Sequence, residues 1–247
     1  MLEMSLLPGE RVDVLASRHI KIIQSGAVFS FSLDAVLLAN FAQIKRHSRV
    51  VDLAAGNGAV GLFLARKTDN RVTMVELQPR LADMARRSVA LNALANVDVQ
   101  EGDLADTTKF VAKDSVDVVT CNPPYFKLSA RSMTNPNDHL AIARHELTTD
   151  FATVARVSAD LLKYQGKAYF VHRPDRLAEL LATLTAVGLA PKQLQFIHPR
   201  EDREANMVLI AAIKAGRPDG LRIMPPLIVH EADGGYTPFV RRLLHGD

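Results

Sequence analysis

From residue 49 onward the chain alternates short apolar runs with helix-forming stretches, and this alternation restricts the fold more than any other feature. RVVDLA, RVTMVEL, VDVQEGD and VDVVTCN read as the first four strands. Between them lie the helical segments GAVGLFLARK and PRLADMARRSVALNAL, the second opened by Pro79, a residue tolerated at the first helical position. The spacing predicts a further helix over about 150–162, strand KAYFVH, helix DRLAELLATLTAVG, strand QLQFIH and a last strand MVLIAAIK. Strands that are apolar along their whole length are buried on both faces, so the sequence implies an α/β fold with a doubly wound, mainly parallel, seven-stranded sheet. Folds of this kind bind ligands at the carboxyl ends of the strands, near the point where strand order reverses. The residues just after the first four strands are therefore the ones to inspect.

Ahead of this pattern, residues 11–31 alternate in short bursts (VDVL, IKII, VFSF) and predict a small β-rich extension. Residues 34–44 have helical composition, with Ser32 or Asp34 available as the N-cap. The expected organisation is one domain over 1–247. It comprises an N-terminal β/helix extension (1–45), a catalytic core (46–215) and a proline- and glycine-containing tail (216–247) packed on that core. Residues 126–147 are polar and without periodicity.

The turn after the first strand reads Gly56-Asn57-Gly58-Ala59-Val60-Gly61, a literal G-x-G-x-x-G, and Glu76 follows twenty residues after Gly56 at the end of the second strand. Glycines let backbone approach a nucleoside, and a carboxylate accepts both protons of a ribose diol. Taken alone, the pattern fits NAD and S-adenosylmethionine equally. Two acids change the balance. Asp52, just before the glycines, would repel a pyrophosphate but suits the cationic amino-acid end of S-adenosylmethionine; it could equally bond turn amides. Asp103, after the third strand, can accept from an adenine amino group or cap the next helix.

The fourth strand ends in Asn122-Pro123-Pro124-Tyr125. An exocyclic amine on a purine is a poor nucleophile because its lone pair is delocalised into the ring. Two acceptors that draw its N–H bonds aside turn that lone pair towards an incoming methyl group. The Asn122 side-chain oxygen and the Pro123 carbonyl are such acceptors. The prolines fix the backbone and remove competing donors, and Tyr125 offers a face for base stacking. No strong base is needed. Cys121, the single cysteine, cannot form an internal disulfide, and reads as a small core residue.

VVDLAAGNG, MVEL and EGD at successive strand ends, followed by NPPY, resemble the class I methyltransferase core and its amino-methylating branch. FSFSLDAVLLANF (29–41), NPPYF and AIARHELTTDF (141–151) narrow this to a resemblance with the bacterial tRNA1(Val) adenine-37 N6-methyltransferase family, spanning about residues 10–245. The resemblance implies S-adenosylmethionine as cofactor and a tRNA adenosine beside the anticodon as substrate. It places Asp34, Asp52, Ala54, Gly56, Asn57, Gly58, Glu76, Leu77, Asp103, Leu104 and Asn122 around the cofactor. Catalysis falls to Asn122, Pro123, Pro124 and Tyr125. Guanine-N2, DNA adenine-N6 and protein-glutamine methylation are the nearest alternatives, with an NAD(P)-dependent oxidoreductase further off.

Lys127, Arg131, Arg144 and His145 flank the tetrad, and Arg173, Arg200 and Arg203 follow the fifth and sixth strands. Sharing one sheet edge, they would make a phosphate-binding rim around a flipped base. A net charge of +3 permits a polyanionic partner without requiring one. The eight histidines lack ligand spacing, so no metal is expected. The first residues have no basic head followed by an apolar run, and no stretch is long enough to span a bilayer, so the expectation is a cytoplasmic enzyme.

Overall fold

The computed structural model describes residues 6–15, 20–26, 33–123 and 150–246. Its main sheet has nine strands: β3 (Val50–Leu53), β4 (Val72–Glu76), β5 (Val97–Glu101), β6 (Val116–Cys121), β7 (Leu162–His172), β8 (Leu189–His198), β9 (Met207–Lys214), β10 (Arg222–Ile223) and β11 (Leu227–Ile228). The strand order is β10-β8-β9-β7-β6-β3-β4-β5, with β11 also on the outer edge of β8. All neighbours run parallel except β9, which is antiparallel to both β7 and β8. Strand order therefore reverses between β3 and β6, and the functional residues are expected at the carboxyl ends of that pair.

One sheet face carries α1 (Leu33–Phe41), α2 (Ala59–Ala65) and α3 (Pro79–Leu91); the other carries α4 (Phe151–Leu161) and α5 (Leu177–Ala186). Consequently the central strands are buried on both sides: every residue of β3 and β4 is buried. Asp150 caps α4 by accepting from the Thr153 amide at 2.7 Å. The tail adds β10 and β11 to the edge of β8, and helix α6 (Pro238–His245) buries Val240 against the α1–α2 side of the core. No helix among the described residues is long and apolar enough to cross a membrane.

The N-terminal extension is a hairpin, β1 (Glu10–Leu15) antiparallel to β2 (Ile20–Ser25). Two strands alone are marginal in water, and side chains of the core complete this pair. Ser88 and Asn92, one turn apart on α3, accept the amides of Ile23 and Lys21, both at 2.9 Å. The Asn92 amide donates to the Lys21 carbonyl at 2.6 Å, and Asn57 donates to the Ile23 carbonyl at 3.1 Å. An otherwise open strand edge is thereby paired with side chains instead of a third strand. Arg87 of α3 adds a forked ion pair to Glu10, at 2.7 and 2.8 Å; the bond from Arg87 holds the Glu10 carboxyl below its ordinary value.

Asn92→Ala strands the Lys21 amide and carbonyl together. The expected loss is about 2–6 kcal/mol, at roughly 1–3 per unsatisfied group, read by urea denaturation. A loss within 0.5 kcal/mol, the usual surface value, would show that the hairpin does not depend on this edge.

Candidate active site

β3 ends at Leu53, and the next five residues form a turn built on left-handed backbone: Ala54 at φ 52°, Gly56 at φ 59° and Gly58 at φ 92°. Only glycine takes such angles without strain. At Gly58 a side chain would also meet Ala85 and Met74 at 3.2 Å, so this position fixes how closely α2 and α3 pack. At Gly56 a side chain would project into open space, which leaves the backbone of the turn open at this point.

Three acids surround the turn, and all three have oxygens bonded to an amide of the turn or of a following helix. Glu76, expected to face a ribose, is 2% exposed; its oxygens accept the amides of Gly56 and Gln78, both at 2.8 Å. It therefore shapes the turn from beneath. Asp52, expected beside the cationic end of a cofactor, is 1% exposed with both oxygens engaged. Thr120 of β6 donates to one at 2.7 Å and the Gly61 amide of α2 to the other at 3.1 Å. Of its two sequence readings, the turn-amide one describes the contacts. Burial pushes the Asp52 carboxyl up to about 7, against the two hydrogen bonds that favour its charged form, while the nearby Glu76 charge adds to the rise. Asp103 caps the 3₁₀ turn Leu104–Lys109 by accepting the Ala105 amide at 2.8 Å, the capping alternative of its two readings.

Asn57, also expected at the cofactor, is turned the other way and tethers the hairpin at Ile23. Leu104 is buried in the core on the α4 side, Leu77 and Ala54 are half-buried, and Asp34 lies half-buried in the first turn of α1. Cys121 is fully buried, as its sequence reading had it, and burial carries its thiol well above the ordinary value.

The β3–β6 register pairs Asp52 with Thr120 and Leu53 with Cys121, so Asn122 leaves the sheet one step beyond, level with Ala54. Asn122 is half-buried and Pro123 buried. Pro124, Tyr125, Lys127, Arg131, Arg144 and His145 lie outside the described residues, as does the Ser32 cap. Sequence reading missed Thr120, whose hydroxyl joins β6 to Asp52, and His172, which the β6–β7 register brings level with Pro123. His172 is 1% exposed and burial holds its imidazole below the ordinary value; its Nδ1 accepts the Arg173 amide at 2.8 Å, and Phe151 packs edge-on against the ring. Neither residue has a local sequence signature.

Of the residues expected in the basic rim, Arg200 and Arg203 have acidic neighbours. Arg200 is paired with Asp202 at 3.0 Å and Arg203 approaches the same acid at 3.9 Å. Residues 200–204 carry two arginines against Glu201, Asp202 and Glu204, a net charge of −1.

Residues 19–174 match the family model of the methyltransferase small domain. The tRNA1(Val) (adenine(37)-N6)-methyltransferase of Phocaeicola vulgatus is 30% identical over 178 residues, which is 72% of this chain and 74% of that protein. The crystal structure of a predicted O-methyltransferase from Agrobacterium tumefaciens superposes with a TM-score of 0.68 at 28% identity, covering 86% of this chain and 96% of that one. The geranyl diphosphate C-methyltransferase of Streptomyces coelicolor, solved with S-adenosyl-L-homocysteine, shares the fold at a TM-score of 0.55 and 16% identity, over 73% of this chain and 76% of that one.

The raised Asp52 value has a signed consequence. Its carboxyl keeps its proton to a higher pH in the folded chain, near 7, than in the unfolded one, near 3.8. Its contribution is then fully present below about pH 4 and is lost as pH rises through 7, by up to about 1.4 kcal/mol per unit. Asp52→Asn keeps an acceptor for the Gly61 amide and sets an amide NH₂ opposite the Thr120 hydroxyl, which then accepts instead of donating, but it cannot ionise. The stability of wild type relative to Asp52→Asn should fall from pH 4 to 7 and level off above; a flat difference across that range would refute the assignment.

Proposed function

The chain belongs to the methyltransferase small-domain family, and from that premise we propose that it methylates the N6 amino group of an adenosine in tRNA, the nucleotide at position 37. The observation that carries the reading is the end of β6: Asn122 and Pro123 leave the sheet at the strand-order reversal, level with the glycine turn that follows β3. An amide and a proline carbonyl at this point suit a planar amine, which the nicotinamide alternative does not require. The name of the Phocaeicola vulgatus relative supports adenine and tRNA over the other amino-methylation substrates.

S-adenosylmethionine, when bound, supplies an electrophilic methyl group on a sulfonium. The residues present fit it: the bare backbone of Gly56 faces open space, and Glu76 lies directly behind. Glu76, which shapes the turn through the Gly56 and Gln78 amides, is the carboxylate set to take the ribose hydroxyls. Asp34, Ala54, Gly58, Leu77, Asp103 and Leu104 complete the walls. Asp52 and Asn57 act one layer back, holding β6 and the hairpin against the turn.

On the substrate side, the Asn122 oxygen and the Pro123 carbonyl accept the two N6 protons and so rotate the amine lone pair out of conjugation with the ring. Tyr125 stacks on the base, a contact of roughly 1–3 kcal/mol, and Pro124 stiffens the segment between. Lys127, Arg131 and Arg144 neutralise phosphates flanking the flipped nucleotide. The catalytic effort is positional and electrostatic.

Removing one such preorganised acceptor is expected to cost about 10²–10³-fold in kcat. In a methylation assay on unmodified tRNA, Asn122→Ala should lose that factor while its affinity for S-adenosylmethionine changes little. Turnover equal to wild type would exclude the mechanism.

A further inference from the structure

Positive charge is concentrated at the edge of the sheet opposite the site. Residues 45–49 lead from α1 into β3, and residues 66–71 lead from α2 into β4. Together they hold six lysines and arginines against the single acid Asp69, a net charge of +5 in a chain that totals +3. The remaining residues are therefore net negative, and those at 200–204 share that sign.

The two segments are knitted into one platform. The Asp69 amide donates to the Arg46 carbonyl at 2.7 Å, and the Val50 amide to the Arg71 carbonyl at 3.0 Å. The Thr68 hydroxyl reaches the Ser48 carbonyl at 2.7 Å, and the Asn70 side chain donates to the His47 carbonyl at 3.0 Å. Some of the charge is spent within the fold. Arg46 is paired with Asp69, and Lys67 is engaged at the end of α1 by the carbonyls of Ala39 and Ala42. Asp117, which accepts the Arg49 amide at 2.8 Å, is itself paired with Lys163 at 3.1 Å. Lys45, Arg66 and Arg71 are different: all three are exposed, and their side chains make no hydrogen bond or ion pair with any described residue. Lys167, brought level with Val50 by the β3–β6 and β6–β7 registers, continues the same sign; it donates to the Gln43 amide oxygen at 3.2 Å.

Cations held on a fixed backbone with no acid to offset them repel one another, and a polyanion relieves that repulsion while releasing its own counterions. This face is also remote from the chemistry. β3 connects Arg49 to Ala54, a rise of about 17 Å at roughly 3.3 Å per residue. The target nucleotide and the cofactor, at the carboxyl end of that strand, do not reach it. We propose that Lys45, Arg66 and Arg71 bind the phosphate backbone of the RNA substrate at a point distant from the target nucleotide. This rests on the tRNA reading above and deepens it. Phosphate contacts orient an RNA without reading its bases, so this face selects a folded tRNA over a short RNA that carries the same adenosine.

Because the three side chains hold no described contact, the triple variant Lys45→Glu/Arg66→Glu/Arg71→Glu tests the face without disturbing the core; unchanged affinity for S-adenosylmethionine checks that the fold stands. The probes are full-length unmodified tRNA and a short single-stranded RNA carrying the target adenosine. The variant should bind full-length tRNA at least about tenfold more weakly, and the slope of log affinity against log salt should fall by about 3, close to one per lost phosphate contact. KM for tRNA should rise with kcat unchanged, and methylation of the short RNA should match wild type. Unchanged tRNA affinity and salt slope overturn the proposal, and methylation by wild type would leave the proposed activity standing. A fall in kcat on both RNAs with affinity intact also overturns it, since the charges would then act through the site. Wild type that binds tRNA through this face but methylates none supports the face and removes the adenine reading, whereas wild type that binds no RNA removes both.

Discussion

The carboxyl of Asp52 joins three elements that the sequence keeps apart. It belongs to β3, accepts from Thr120 on β6, and accepts from the Gly61 amide in the first turns of α2. An acid in the interior of an apolar strand is costly unless its oxygens are bonded, and both are. Its retention there has a geometric effect: Thr120 is two residues before Asn122, and Gly61 is three after Gly58. The strand that delivers the amine-binding residues and the helix that follows the cofactor turn are thus referenced to the same two atoms. A sheet held only by apolar packing would fix the distance between these elements less sharply.

Around that centre, satisfied polar contacts repeatedly take the place of regular structure. Glu76 bonds the turn amides that no helix or strand can pair. Asn57, Ser88 and Asn92 complete the exposed edge of β2. The result is a cleft whose walls are backbone, supported from behind by buried side chains. Such an arrangement suits chemistry by positioning, because the groups nearest the reacting atoms have little freedom left to lose.

The central strands were legible because parallel strands buried on both faces appear as unbroken apolar runs; β3, β4, β5 and β6 begin and end within two residues of their sequence limits. β7 and β8 extend further back than expected, to Leu162 and Leu189, since pairing resumes beyond an irregularity in each: Leu162 with Val116 in β7, and the residues before the register shift at Pro191 in β8. The two-residue strands β10 and β11 are too short to carry a pattern. At the site, sequence placed Asp52, Glu76 and Asp103 at the right strand ends but left open whether amides or a ligand take the oxygens of Asp52 and Asp103, and gave no sign of the two amides on Glu76. Spacing locates a carboxylate along a strand; only the folded chain determines which donors reach it. The same limit applies to Arg200 and Arg203, whose neighbouring acids offset the charge that made them look like a rim.

The central claim is that the segment after β6 presents acceptors for a purine amine and that the amine is adenine N6. Incubation of the protein with isotopically labelled S-adenosylmethionine and total tRNA lacking the modification, followed by mass spectrometry of the nucleosides, tests it most directly. The account predicts label in N6-methyladenosine, confined to one tRNA. Label in N2-methylguanosine, or in no nucleoside while the protein binds the cofactor, would contradict it.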